Sequence, residues 1–181
     1  MNAARACFAR VGYERATNRD IGAEAGVTAA AIYQYFKSKT DLYVGVAAES
    51  IEELMPRLRA AVSGTTTARA ALSAIVREQL SLEQHASSAR FLAGVPVEMQ
   101  RHPEVAQAML AQPGTFFELV LDVIKLGVRN GEITRDKAES VLAMFMAGVM
   151  GLSIHGATVG GSHSAAATQG FMELLEGKLF E

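Results

Sequence analysis

Residues 28–39, TAAAIYQYFKSK, place one threonine, three alanines, two tyrosines and two lysines within a single short stretch. Thr17 and Arg19, a little upstream, add a second hydroxyl and a guanidinium. These groups suit an anionic polymer. A hydroxyl such as that of Thr17, or a helix N-terminus, offers neutral donors to a phosphate oxygen. The phenols of Tyr33 and Tyr35 can donate in the same way, and Lys39 adds a point charge. Arg19 can reach a guanine edge or the backbone, while the methyls of Ala29 and Ala30 can touch thymine methyl groups. Plainer readings stand beside these: tyrosines packed in a core with the hydroxyl at the surface, and Arg19 on a solvated face.

Other chemistry is poorly supplied. Gly151-Leu152-Ser153-Ile154-His155 lacks the final glycine of a nucleophile elbow, and Gly156-Ala157-Thr158-Val159-Gly160 carries threonine where serine is needed. His85, His102, His155 and His163 are scattered, with no pair four apart and no cluster with cysteine, so no metal site or other cofactor is expected. Cys7 is the only cysteine and cannot form an internal disulfide. That fits a reducing cytoplasm, with the thiol read as a small packed side chain.

The elements that must position the first group of residues are short helices. Apolar residues recur three and four apart, and strand-like alternation never persists. A first helix reaches about Arg10 and ends at Gly12. Thr17-x-x-Asp20 has the form of a capping box, with the hydroxyl accepting from the Asp20 amide while the carboxylate reaches back. It opens a second helix that lasts to Ala25, where Gly26 supplies the turn. Thr28 caps a third helix from Ala29 to about Tyr35. Ser38-x-x-Asp41 repeats the box and opens a longer helix that Pro56 is placed to kink or interrupt. Two short helices joined by a glycine turn, behind a supporting helix, make a helix-turn-helix. Ile21, Ala25, Val27, Ile32 and Phe36 supply its packing positions. Further helices are expected at about Thr67–Gln84, Ser88–Gln100, His102–Ala111, Gly114–Asn130, Arg135–Thr158 and Ser164–Leu179. The fold class is all-α, in two parts: residues 1–44 as the helix-turn-helix domain and residues 45–181 as a helical effector-binding and dimerisation domain.

Composition agrees. The 181 residues are 50% hydrophobic with four prolines and no repeat, and apolar runs break well short of the ~18 residues a membrane span requires. Charges run through the place where a signal peptide needs an apolar core. The net charge is −2, but residues 1–41 carry six basic side chains against four acidic ones, and the remainder eleven against fifteen. The sign suits an N-terminal nucleic-acid contact.

Phe8-x-x-x-Gly12-Tyr13, Thr17-x-Arg19-Asp20-Ile21, Ala25-Gly26-Val27-Thr28, Ile32-Tyr33-x-Tyr35-Phe36 and Ser38-Lys39-x-x-Leu42 together resemble the N-terminal signature of the tetracycline-repressor (TetR) family. Gly127-Val128-Arg129-Asn130-Gly131-Glu132-Ile133 resembles a segment late in that family's ligand domain. The resemblance implies an all-helical, homodimeric transcription regulator, usually a repressor, whose effector shifts the spacing of two reading heads. It implies DNA contacts at Thr17, Arg19, Thr28, Tyr33, Tyr35 and Lys39, with Asn18 and Ala29 assisting. Gly22 departs from the usual alanine, at ~1 kcal/mol of helix propensity. Ala30 stands where glycine is frequent, and no basic arm precedes the first helix. The missing arm leaves two readings, weaker binding or a start further upstream.

Seven methionines besides Met1 punctuate the later helices, and methionine adapts to irregular binding surfaces as well as to plain cores. By the resemblance, Phe91, Met99, Phe116, Val120 and Met144 would wall an effector pocket. His155, on an otherwise apolar helix, is either a hydrogen-bonded core residue or a further ligand contact. Phe145, Val149, Leu152, Phe171 and Leu175 stripe the last two helices as a dimer interface, with intramolecular core as the alternative. The expected protein is a cytoplasmic, non-enzymatic regulator binding a near-palindromic operator and a small apolar or aromatic effector. The alternative is a small-molecule-binding helical protein whose head no longer reads DNA.

Overall fold

The computed structural model describes residues 1–82, 86–111, 116–159 and 161–179. Every regular element among them is helical: α1 (Asn2–Arg15), α2 (Asn18–Ala25), α3 (Ala29–Tyr35), α4 (Lys39–Ser63), α5 (Ala68–Leu82), α6 (Ala86–Arg101), α7 (Pro103–Leu110), α8 (Phe116–Arg129), α9 (Ala138–Thr158) and α10 (Gly161–Glu176), with a 3₁₀ turn at Arg135–Lys137. The sequence-based boundaries hold to within a few residues. The expected turns at Gln112–Gly114 and at Gly160, together with His85, lie outside the described residues.

Two details differ from the sequence reading. Gly12 interrupts α1 with φ +80° and ψ 169°, but one more turn follows to Arg15. Pro56 lies within α4 without ending it.

The chain divides into two compact units, Met1–Glu52 with His85–Pro113, and Glu53–Gln84 with Gly114–Glu181. The first is built on aromatic rings. Phe8, Tyr13, Tyr43 and Phe91 are each at most 6% exposed. Phe8 and Tyr13 both meet Tyr43 edge-on, at 5.0 and 5.1 Å between centroids. Such pairs add about 0.5–1.5 kcal/mol each beyond their burial. Arg5, itself 6% exposed, donates to Glu49 Oε2 at 2.9 Å, so its burial is matched by a partner. Burial pushes the Tyr43 phenol and the Cys7 thiol up from their ordinary values.

In the second unit the segment Gly127–Ile133 has a structural task. A β-carbon on Gly127 would lie 2.7 Å from Ala68 Cβ and from Ile133 Cδ1, so α8 and the start of α5 approach as closely as only glycine permits. The turn that follows sends Glu132 back to cap α5. Its carboxylate accepts from the amides of Ala68 at 3.0 Å and Arg69 at 3.3 Å. Asn130 Nδ2 fixes the loop by donating to Thr66 O at 2.9 Å. These amide bonds hold the Glu132 carboxyl below the usual carboxylate range.

The region Arg135–Gly156 is apolar and long enough to cross a membrane by length and composition alone, and only 11% of its most apolar window is buried. Phe145 and Val149 turn inward, at 2% and 5% exposed, with Phe145 6.1 Å from the Phe171 ring. Met144, Met150 and Ile154 of α9 and Leu174 of α10 remain exposed. The α9 face is thus half spent on its own unit and half left in solvent.

Candidate nucleic-acid interface

Local chemistry builds the N-terminal trio. Thr17 caps α2 with its hydroxyl accepting from the Asp20 amide at 3.1 Å. The Asp20 carboxylate accepts a hydrogen bond from that hydroxyl at 2.6 Å, which closes the motif side chain to side chain. Gly26 then turns the chain with φ +70° and ψ 25°, in the left-handed region that costs glycine little. Thr28 caps α3 by accepting from the Ala31 amide at 3.1 Å, and Ser38 does the same for Asp41 at 3.0 Å.

Gly22 acquires a reason that propensity alone hides. A β-carbon there would lie 2.7 Å from the Val27 carbonyl oxygen and 3.3 Å from the Ala29 amide nitrogen. The Val27 amide donates to Gly22 O at 2.9 Å. The glycine therefore lets the turn close directly onto α2. Ile21 and Ile32 hold the helices together at 2% and 8% exposed, with Phe36 packed against the same core. Val27 and Ala25, expected inside, are exposed: Ala25 ends α2 and Val27 follows the left-handed Gly26, so both sit at the turn and not between the helices.

The outer face then consists of residues with spare hydrogen-bonding capacity. Tyr33 and Tyr35 are 58% and 82% exposed and Arg19 is exposed. Thr28 uses its oxygen as an acceptor and keeps its hydroxyl proton for another partner. Lys39 is held in place: its ammonium donates to Glu14 O at 2.9 Å and sits 4.7 Å from the Tyr13 ring centroid. One of its three donors is thereby committed and two remain for another acceptor. Ala29 is half-buried at the start of α3. Asn18 is 7% exposed, and neither amide atom has a partner, so its side chain stands behind this face rather than on it.

A support that residue type alone did not reveal comes from α6. Glu98 Oε1 accepts from the Tyr13 amide at 3.1 Å, just past the Gly12 break. A β-carbon on Gly12 would meet that same oxygen at 3.3 Å. Tyr13 in turn shares a hydrogen bond with Thr40 Oγ1 at 2.8 Å and lies under the Lys39 ammonium. His102 stands beside the ring, 4.6 Å between centroids, with Nε2 3.6 Å from Glu98 Oε2. The salt bridge of Arg10 to Glu24, at 2.8 Å, ties α1 to α2.

The remaining sequence candidates fall in different places. Phe91 sits in the aromatic core of the first unit, 5.1 Å from Tyr43, and Met99 packs against that core. Val120 is fully buried in the second unit and Phe116 partly so; Met144 is 69% exposed and His155 half-buried. Leu152, Phe171 and Leu175 are half-buried. Among the described residues no group of three metal-ligating side chains comes together.

Residues 1–46 match the family described as bacterial regulatory proteins, tetR family. The HTH-type transcriptional activator FasR of Mycolicibacterium smegmatis is 34% identical over 85 residues, which cover 47% of this chain and 39% of that protein. The chain thus spans about two fifths of the curated relative it matches. The solved structure of the transcriptional regulator FadR from Bacillus subtilis in complex with stearoyl-CoA superimposes with a TM-score of 0.81 at 21% identity, covering 98% of this chain and 96% of that one. A TetR-like transcriptional regulator from Rhodococcus sp. RHA1 gives a TM-score of 0.72 at 18% identity, covering 97% and 90%. At such identities these structures speak for the fold alone. The trio of helices in residues 1–46 is thus the part of the chain that resembles the N-terminal module of the tetR family of bacterial regulatory proteins.

Proposed function

We propose that the protein is a cytoplasmic, sequence-specific DNA-binding regulator of transcription, without catalytic activity, working as a repressor that a small apolar or aromatic effector releases. Residues 1–44 form the reading head and residues 45–181 the effector-binding and dimerisation part. The observation that carries the reading is the outer face of α3 and its approaches. There Thr28, Tyr33, Tyr35 and Arg19 offer donors without protein acceptors, beside the anchored Lys39 ammonium. Donors left free on a capped, rigid helix are what phosphate contact needs. Thr17 contributes through its position at the α2 N-terminus, since its hydroxyl proton is engaged by Asp20.

The dimer interface is proposed on α9 and α10. The exposed stripe Met144, Met150 and Ile154, with Leu174, is apolar surface a second copy would cover, around the half-buried Leu152, Phe171 and Leu175. Phe145 and Val149 support that face from beneath. Two heads about one helical turn apart, ~34–36 Å, then require a near-palindromic operator. FadR's complex with stearoyl-CoA makes an acyl-CoA the first effector to try.

Selection from a random duplex pool, followed by gel shift on the winners, tests the reading. Enrichment of an inverted repeat is expected. With ~6–10 phosphate contacts per dimer, affinity should fall ~10³–10⁵-fold between 50 and 200 mM salt. Tyr33→Ala should weaken binding without changing the helix content. A pool that enriches nothing, or a Tyr33→Ala variant with unchanged affinity and salt slope, overturns the assignment.

A further inference from the structure

In the second unit an open cleft of about 550 Å³ lies between the end of α4, the first turns of α5 and the segment after α10. Three cations reach it, Arg69, Arg77 and Lys178, against the single carboxylate of Glu176. The lining residues thus carry an excess of two positive charges, with the Glu132 carboxylate that caps α5 beside Arg69 outside the lining. Arg69 Nη1 donates to the main-chain oxygen of Glu176 at 3.2 Å, and Lys178 Nζ to the Glu176 carboxylate at 2.9 Å. Both cations are thereby held at the rim, with donors remaining. Arg77 is exposed and acts on the Glu176 carboxylate through its charge alone, without a hydrogen bond or salt bridge among the described residues, which leaves its planar fork available.

Ser73 lies midway between the two arginines, at the four-residue spacing that puts all three on one face of α5. It is 3% exposed, and its hydroxyl has no partner. Several helical hydroxyls among the described residues close onto the carbonyl four residues back, as Ser50 does to Val46 at 2.8 Å and Thr168 to Ser164 at 3.0 Å. Ser73 departs from that habit inside a cleft where cations converge. Ala61, Ala70 and Ala74 give the same cleft a small apolar wall.

We infer that this cleft binds a small organic phosphate, its dianionic head between Arg77, Arg69 and Lys178 and a compact apolar body against the alanines. The excess of two charges matches a phosphomonoester, which carries about −1.5 to −2 at neutral pH. Guanidinium groups pair with its oxygens bidentately. The inference stands independently of the DNA-binding reading.

The test uses the whole chain, with inorganic phosphate and phenyl phosphate as probes, titrated calorimetrically at constant ionic strength in sodium chloride. Saturable binding is expected for both, tighter for phenyl phosphate because its ring meets the alanine wall. Arg77→Gln should weaken it ~10–100-fold, the loss of one charge-assisted pair. Arg129→Gln, an exposed arginine outside the cleft, should bind as the parent does. Affinity should also rise from pH 5 to 7.5 as the phosphate takes its second charge at about 6. Absence of saturable binding overturns the inference, as does an Arg77→Gln variant equal to the parent, or an equal loss in Arg129→Gln.

Discussion

Replacing Glu98 by alanine should loosen the base of the reading head, and the geometry sets how much. Its Oε1 is the acceptor for the Tyr13 amide at 3.1 Å, and its side chain is only 13% exposed. A hydrogen bond to a charged group at such a site contributes about 1.5–3 kcal/mol, and removing the acceptor orphans a part-buried amide. For a chain of this size 1 kcal/mol moves Tm by about 2–4 °C, so Glu98→Ala should melt about 3–12 °C early. Glu98→Gln keeps an oxygen in place and should lose roughly half as much, because a neutral bond is worth about half a charged one. Thermal unfolding followed by circular dichroism gives the two shifts. Amide hydrogen exchange at Tyr13 localises them, with protection in the parent and fast exchange in Glu98→Ala. Equal melting of all three proteins, or an unchanged Tyr13 exchange rate in Glu98→Ala, would refute the view that α6 holds the Gly12 break.

Two other expectations are simpler to state. The Glu132 carboxyl is held below its ordinary value mainly by the Ala68 amide, so the cap it makes on α5 contributes fully above the unfolded-state value and is lost as pH falls through the folded one. Glu132→Gln should therefore be less stable than the parent at neutral pH and converge with it in acid, as paired urea titrations at pH 7 and pH 3 would read. Gly22→Val should weaken operator binding: the gain of about 0.3–0.5 kcal/mol in helix propensity is outweighed by about 1–3 kcal/mol of overpacking against the Val27 carbonyl. A gel shift with the parent's affinity would show instead that the turn can give way.

Much of this protein could be read without its coordinates. Thr17, Thr28 and Ser38 announced their helices because a capping hydroxyl meets an amide only three residues away. Gly26 announced its turn because left-handed backbone is a property of one residue. The outward tyrosines followed from the 3.6-residue period set against Ile21 and Ile32. What the period could not supply was depth. Asn18 and Tyr35 are both polar-tipped residues in a short helix, yet one is sealed at 7% exposure and the other open at 82%.

The chain's own order settled the helices, the glycine breaks and the donor-rich face, all products of interactions within about four residues. Tertiary structure alone decided that Glu98 would grip an amide 85 positions away, that Glu132 would cap a helix 64 positions away, and that Arg77 and Lys178 would share a cleft. It also placed Phe91 against Tyr43 in an aromatic core. Such pairings depend on the path of the backbone through space, which side-chain type and spacing do not encode one residue at a time.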